Sequence, residues 1–227
     1  SPADAKIVNE GVIFNGCLFL FKTDYPDDAF SKRSDFSFVV APNLLKASPR
    51  MFLGCQSVEL VFAPAMTEIG EMAFSQSGLS QVCFKNVVFI RQSAFKNCKF
   101  AQILPSSFQK CEEIGEFAFE NCLLERAAFE EVQVVKCGAF SGCKQLRDVQ
   151  LPKAKVLGDW VFSNCWLLTQ VNLLKAESLG ENVFGQCVEL GQLSLPMIQN
   201  VGVSCFAECL ELNQLECTLE PQKFVCS

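Results

Sequence analysis

The chain has 227 residues, of which 50% are hydrophobic and 19% charged, and it contains 14 cysteines and no histidine. This composition can support a large buried core, which excludes an intrinsically disordered protein. The net charge of -6 gives no basic surface for nucleic acid, and the lack of histidine removes the usual catalytic base and the commonest zinc ligand. We therefore expect no enzyme, no metal site and no cofactor.

The N-terminal residues 1–29 follow a loose version of a pattern that becomes regular downstream. Its positions are occupied by Phe14, Cys17, Leu20, Tyr25 and Pro26. We interpret this segment as a degenerate unit that caps the N-terminal end of the protein. The most apolar stretch, GCLFLF at residues 16–21, is far shorter than the roughly 18 to 20 residues of a membrane-spanning helix. We expect no membrane insertion.

From residue 30 to residue 218 the sequence repeats with a period of about 22 residues. The clearest markers are the phenylalanines Phe30, Phe52, Phe74, Phe95, Phe119, Phe140, Phe162, Phe184 and Phe206. Seven of them are followed three residues later by a cysteine, namely Cys55, Cys98, Cys122, Cys143, Cys165, Cys187 and Cys209. A repeat of this length indicates a solenoid, in which equivalent residues of successive coils stack on one another. We call these two sets the Phe ladder and the Cys ladder.

Each repeat ends in a tail of the form Leu-x-x-Val-x-Leu-Pro, as at Leu190, Leu193, Leu195 and Pro196. The alternation predicts a short strand that stops at the proline. In many repeats an Ile, Leu or Val followed by a glycine precedes the Phe of the ladder, as Ile69-Gly70 does before Phe74. We expect this glycine to permit a tight turn into a helical or 3-10 return segment.

The combined pattern I-G-x-x-A-F-x-x-C-x-x-L-x-x-V-x-L-P resembles that of the BspA-like leucine-rich-repeat family. The resemblance implies an α/β solenoid, a leucine-rich-repeat horseshoe with a parallel concave sheet of roughly eight to ten strands and short helical or 3-10 return segments. Residues 1–227 would form a single domain in which residues 219–227 are a C-terminal tail. Family members include surface and secreted proteins, which implies a cell-surface or secreted location; fully reduced cysteines would instead indicate the cytoplasm.

The Cys ladder admits a structural and a chemical interpretation. A cysteine at the same bend of every repeat is a small, largely apolar side chain that can pack inward. No Cys-x2-Cys spacing is present, which argues against zinc or an iron-sulfur cluster. Cysteines on adjacent coils lie at about the strand spacing of 5 Å, so disulfides between them are conceivable but strained. We expect these cysteines to be buried and reduced.

The residues on either side of the tail Val project from the predicted sheet and are free to contact a partner. From these two columns we select the partner-binding residues Phe38, Val40, Leu60, Phe62, Gln81, Cys83, Arg126 and Asp148. The first four form an exposed apolar cluster, and such clusters commonly mark interaction sites. Alternatively, the N-terminal segment including Lys22 to Phe30 covers the cluster as a cap.

The glutamines of the later repeats, Gln170 to Gln214, either stack on one another as an amide ladder or contact a ligand.

The function that follows is a protein-protein interaction module that binds an unidentified protein through the concave sheet, with adhesion or host contact implied by the resemblance. The alternative is a structural solenoid that self-associates through its end coils.

Overall fold

The computed structural model describes residues 5–217, which form nineteen short strands and contain no helix. In chain order the strands are β1 (Lys6–Val8), β2 (Gly11–Phe14), β3 (Cys17–Phe19), β4 (Phe38–Val40), β5 (Lys46–Ala47), β6 (Leu60–Phe62), β7 (Glu68–Ile69), β8 (Phe89–Ile90), β9 (Gln102–Ile103), β10 (Glu113–Ile114), β11 (Arg126–Ala128), β12 (Val134–Val135), β13 (Asp148–Gln150), β14 (Val156–Leu157), β15 (Gln170–Asn172), β16 (Ser178–Leu179), β17 (Gln192–Leu195), β18 (Asn200–Val201) and β19 (Gln214–Cys217). No segment within this range could cross a membrane as a helix.

The predicted solenoid is confirmed as a stack of coils joined by parallel strands. Each regular coil contributes one tail strand to what we call the front sheet, and the central residue of that strand points inward, as Val39, Val61 and Val149 do. The front sheet is not continuous. It consists of a five-stranded part (β1-β2-β3-β4-β6), a four-stranded part (β15-β13-β11-β9) and a two-stranded part (β17-β19).

The N-terminal segment adds strands to the front sheet. β1, β2 and β3 form an antiparallel meander, and β3 then pairs in parallel with β4. The β2–β3 turn is made by Asn15 and Gly16, whose φ angles are 49° and 71°. Two positive φ angles in a two-residue loop match the right-handed twist of a hairpin, which is why Asn-Gly is favoured there.

A second parallel sheet, which the sequence analysis did not predict, runs along the opposite side of the coils. Its eight two-residue strands follow the order β18-β16-β14-β12-β10-β8-β7-β5. They come from the Ile/Leu/Val positions that precede the Phe ladder, and their second residue is mostly buried. We call this the back sheet, and it joins coils across the places where the front sheet is interrupted.

The prediction of helical or 3-10 return segments is wrong, because these segments are runs of consecutive turns. The residues two before and two after each ladder Phe have positive φ; around Phe52 these are Arg50 at 56° and Gly54 at 68°. A five-residue segment in which two residues have the left-handed conformation cannot be part of an α-helix. Alternate N–H groups therefore point to the next coil, where the Phe52 N–H donates to the Ala73 carbonyl at 2.7 Å.

The core contains the predicted Phe ladder. The nine rings stack from Phe30 to Phe206 with centroid separations from 5.2 Å to 5.7 Å. Where repeats are irregular, further buried rings fill the core at Phe84, Phe100, Phe108 and Phe129. Offset and tilted ring pairs add to the free energy gained by burying apolar area.

The Cys ladder has a specific hydrogen-bonding role. Each ladder thiol donates to the backbone carbonyl of the ladder Phe in the preceding coil; Cys55 Sγ lies 3.0 Å from Phe30 O, and Cys143 Sγ lies 3.1 Å from Phe119 O. Six of these seven carbonyls, all except Phe30 O, also accept a turn hydrogen bond within their own coil, so the thiol occupies the second lone pair. Six ladder cysteines are buried as predicted, and Cys209 is only half-buried because it lies near the C-terminal end of the stack.

Charged side chains of alternating sign form a chain across the back sheet, which the sequence analysis also missed. Lys46 Nζ and Arg91 Nε each lie 3.0 Å from Glu68 Oε1, and Lys136 Nζ lies 2.8 Å from Glu113 Oε1. Hydrogen bonding from Arg91 lowers the pKa of Glu68 below its ordinary value. Lys46 is the register partner of Glu68, whereas Arg91 and Lys136 follow the next strands, and opposite charges on neighbouring coils favour the observed register of the coils.

The glycines of the Ile-Gly motif serve a different purpose from the one predicted. Gly70 does not have a positive φ, so no left-handed turn requires it. Instead, a Cβ at this position would lie 2.5 Å from the carbonyl oxygen of Ala47 in the preceding coil. The Gly70 N–H also donates to this oxygen at 2.8 Å, which holds the two backbones together.

We expect Gly70→Ala to lower the free energy of unfolding by about 1 to 3 kcal/mol, the usual cost of overpacking. Gly191→Ala is the matched control, because its added Cβ would meet only Glu211 O at 3.9 Å. Urea denaturation of both variants measures the difference. Equal stability of the two would contradict the close-approach explanation.

Candidate functional site

The apolar cluster selected from the sequence lies on the outward face of the five-stranded part of the front sheet. Phe38 pairs in register with Leu60, and Val40 with Phe62. The exposed fractions are 45% for Phe38, 38% for Leu60 and 56% for Phe62. The structure therefore brings these four residues together and leaves them accessible to solvent.

The N-terminal strands extend this cluster rather than cover it. Register and side-chain alternation place five more residues on the same outward face, namely Ile7, Val12, Phe14, Cys17 and Phe19. Ile7 is 79% exposed. The alternative in which the N-terminal segment covers the cluster is wrong, because β1 to β3 join the sheet edge to edge and so present a face of their own. We call the nine residues the apolar front face, and none of them is charged.

These additional residues could have been found from the sequence. The Asn-Gly dipeptide at Asn15-Gly16 stands between two apolar runs, GVIF and CLFLF, and Asn-Gly between apolar runs is a hairpin signal. The interpretation of this segment as a degenerate repeat obscured the hairpin signal.

Burial raises the pKa of Cys17, so the one thiol on the apolar front face is mainly protonated at neutral pH.

The remaining predicted site residues lie farther along the stack. Gln81 and Cys83 are exposed but belong to no strand, because the front sheet is interrupted between β6 and β9. Arg126 on β11 is exposed and pairs in register with the half-buried Asp148 on β13. Asp148 Oδ1 accepts a hydrogen bond of 2.7 Å from Gln150 Nε2. These four residues therefore do not join the apolar front face directly.

The predicted stacking of the glutamines is not present within residues 5–217. Gln170, Gln192 and Gln214 do not hydrogen-bond to one another; Gln214 Nε2 donates instead to Glu216 Oε1 at 3.2 Å. An amide hydrogen bond does occur in the neighbouring column, from Asn172 Nδ2 to Gln150 Oε1 at 3.0 Å. Gln170 and Gln192 lie on the unpaired strands β15 and β17, and Gln192 and Gln214 are register partners on paired strands whose side chains still do not bond to each other.

Within residues 5–217, the cysteines and carboxylates point neither to a metal centre nor to a nucleophilic thiol of the Cys ladder. Within the part of the chain that the structure describes, no three Cys, Asp or Glu side chains come together in an arrangement that could hold a metal ion. The buried thiols have raised pKa values because burial disfavours the thiolate; the pKa of Cys98 is about 11 and that of Cys143 about 12. A thiol in this state is a poor nucleophile.

Comparison with known proteins gives one family match and several structural matches. The family model described as the BspA type leucine rich repeat region matches in six copies, over residues 23–136 and 112–224. No curated protein matches the chain. The leucine-rich repeat protein TpLRR of T. pallidum has 23% sequence identity and a TM-score of 0.55, with 86% of this chain and 82% of that chain covered. This similarity supports the fold alone.

Two further solved structures are more distant. A leucine-rich repeat protein from Eubacterium ventriosum has 16% identity and a TM-score of 0.47, with 91% of this chain and 82% of that chain covered. The pneumococcal vaccine antigen PcpA has 14% identity and a TM-score of 0.40, with 94% of this chain and 70% of that chain covered.

Proposed function

The chain belongs to the BspA-type leucine-rich repeat family, whose repeats generally mediate protein-protein interaction, and from this premise we propose that it binds a protein partner through the apolar front face. The observation that carries the proposal is an exposed, uncharged surface spread over five adjacent strands. The largest apolar patch on a monomeric protein is typically about 300 to 600 Å² and often functional, and larger patches mark interaction sites.

The energetics favour this surface over the rest of the front sheet. Burying apolar area contributes about 25 cal/mol per Å² before the costs of association, so partly exposed aromatic rings such as Phe38 and Phe62 can act as hot spots. Strand pairing holds both residues on the sheet, so little backbone order must be gained on binding. We place Gln81, Cys83, Arg126 and Asp148 at the polar flank of the interface.

A role in adhesion or host contact is the finer form of this proposal. It is supported by the family resemblance, and no feature of the apolar front face selects it over other protein partners.

The double substitution of Phe38 and Phe62 by serine tests the proposed site. We expect partner capture to be lost, while the free energy of unfolding falls by less than about 2 kcal/mol because a large part of each ring is already solvated. Capture from source-organism lysate and from host-surface extract, followed by mass spectrometry, measures the first effect, and thermal unfolding the second. The matched control is Leu123→Ser with Trp160→Ser, two exposed apolar residues outside the front strands.

Three outcomes distinguish the possibilities. Loss of capture in the front-face variant but not in the control supports the proposal. Unfolding of the front-face variant would show that these residues are needed for the core. Light scattering that grows with concentration in the absence of a partner, and is unchanged by the double substitution, would favour self-association through the end coils.

A further inference from the structure

The front sheet opens into a cleft between β15 and β17. These strands lie on successive coils but belong to separate parts of the front sheet, whereas β16 and β18 of the same two coils remain paired in the back sheet. The cleft has a volume of about 380 Å³ and is lined by Gln150, Thr169, Gln170, Val171, Asn172, Gln192, Leu193, Ser194, Gln214 and Glu216. Val171 is half-buried on its floor, although the equivalent Val149 is fully buried.

A short chain of hydrogen bonds leads into this cleft. The chemistry of its side chains determines which group donates and which accepts in each bond. The ionised carboxylate of Asp148 can only accept, so Gln150 must present its NH2 group to it, at 2.7 Å. The Gln150 carbonyl Oε1 then accepts from Asn172 Nδ2 at 3.0 Å. As a result, Asn172 must direct its carbonyl Oδ1 away from Gln150.

This chain of amides stops at Asn172. Within residues 5–217, no donor reaches the buried Oδ1 atom of Asn172. The equivalent position in the next coil is Ser194, a shorter side chain that makes no hydrogen bond to Asn172 Oδ1. Donation toward a carboxylate at one end polarises each amide in turn, which strengthens the terminal oxygen as an acceptor.

We propose that the β15–β17 cleft binds a neutral saccharide, one of whose hydroxyl groups donates to Asn172 Oδ1. A buried acceptor left without a donor costs about 1 to 3 kcal/mol, so a ligand that supplies the donor is favoured. The side-chain amides of Gln170, Gln192 and Gln214 carry both donors and acceptors for further hydroxyl groups, and Glu216 adds a carboxylate acceptor.

The lining favours a saccharide over other classes of ligand. Among the lining residues that the structure describes, there is no Lys or Arg that would bind a phosphate or a sulfate. The volume lies near the lower end of the range for small-molecule sites, about 300 to 1,000 Å³, which suits one or two sugar rings better than a peptide with its side chains. The cleft lining shares no residue with the apolar front face, although Asp148, which we place at the polar flank of that interface, begins the hydrogen-bond chain. Substitutions of Ser194 and Asn172 therefore test the cleft without altering the apolar front face.

Substitution of Ser194 provides the sharpest test. In Ser194→Gln, the longer amide can donate to Asn172 Oδ1 and fill the cleft, so we expect at least a tenfold loss of saccharide affinity with no loss of thermal stability. Ser194→Ala is the matched control, because it keeps the cleft open and should retain affinity within about threefold. Asn172→Ala removes the acceptor and should also weaken binding.

The full chain is titrated with neutral hexoses, N-acetylhexosamines and their short oligomers, and binding is followed by NMR of the side-chain amides. A glycoprotein tested before and after enzymatic deglycosylation distinguishes free sugars from attached glycans as the source. Saturable shifts at Asn172 and Gln150 that disappear in Ser194→Gln support the proposal. No saturable binding by any sugar, binding that Ser194→Gln leaves intact, or binding of a capped peptide in preference to sugars would overturn it.

Discussion

We expect Phe162→Ala to lower the free energy of unfolding by about 3 to 5 kcal/mol, the usual cost of truncating a fully buried Phe. The Phe162 ring is completely buried between Phe140 and Phe184, with centroid separations of 5.6 Å and 5.5 Å. Alanine would leave a cavity in the middle of the Phe ladder and remove two ring stacks. For a chain of this length, the thermal midpoint should fall by roughly 6 to 20 °C.

Two controls separate this effect from a general effect of substitution. Phe62→Ala removes the same side chain from a site that is 56% exposed, and Gln170→Ala removes an exposed side chain from a front strand. Both should change the midpoint much less than Phe162→Ala does in a thermal melt. Equal shifts for Phe162→Ala and Phe62→Ala would mean that the inward and outward assignments are wrong.

The second large effect is a loss of stability at alkaline pH, caused by the buried thiols. Burial raises the pKa of Cys55 and Cys98 to about 11 and that of Cys111 and Cys143 to about 12. In the unfolded chain a thiol has a pKa of about 8.5 to 9. Their contribution to stability is therefore complete below about pH 8.5 and is lost as the pH rises through the folded pKa values.

The size of this effect follows from the number of protons released. Above the unfolded pKa each such thiol weakens folding by about 1.4 kcal/mol per pH unit, so these four together would cost on the order of 5 kcal/mol at pH 10. That amount is comparable with the total stability of a typical domain. We expect the urea midpoint to change little between pH 7 and 8 and to fall steeply between pH 9 and 11.

Single substitutions test the assignment of these protons. Cys143→Ala should reduce the number of protons released on unfolding by about one and so make the pH dependence less steep. Cys83→Ala, which removes an exposed thiol, is the matched control. Alkylation of the denatured, unreduced protein should label every cysteine of the Cys ladder. A flat stability curve up to pH 11, or disulfides between ladder cysteines, would contradict this account.

Much of the core could be predicted from the sequence, because a solenoid is nearly one-dimensional. A residue contacts its equivalents one coil before and one coil after it, so the period of the sequence is also the contact map. The positions of Phe162, Cys143 and Val149 in the core follow from that rule. So does the outward position of Phe38 and Phe62 on their strands, since alternate residues of a strand face opposite sides.

The candidate sites were less predictable, because they occur where the repeat is broken. Asn15-Gly16 predicts the β2–β3 hairpin, but only the structure shows that β3 pairs in parallel with β4 and so places Phe14 and Ile7 on the apolar front face. The β15–β17 cleft depends on strands that do not pair although the sequence pattern continues through Gln170 and Gln192 without a break. A periodic pattern predicts the structure of the average coil, but not how individual coils differ from that average.

By itself, the sequence determined the period, the Phe and Cys ladders and the inward and outward columns of the front strands, because these depend on which side chains leave water. Only the tertiary structure decided that the return segments are turns, that a back sheet exists and that the amide chain ends at Asn172. These features depend on hydrogen bonds between coils, such as that from the Phe52 N–H to the Ala73 carbonyl. Backbone groups are chemically the same in every residue, so the side-chain pattern does not specify which of them pair.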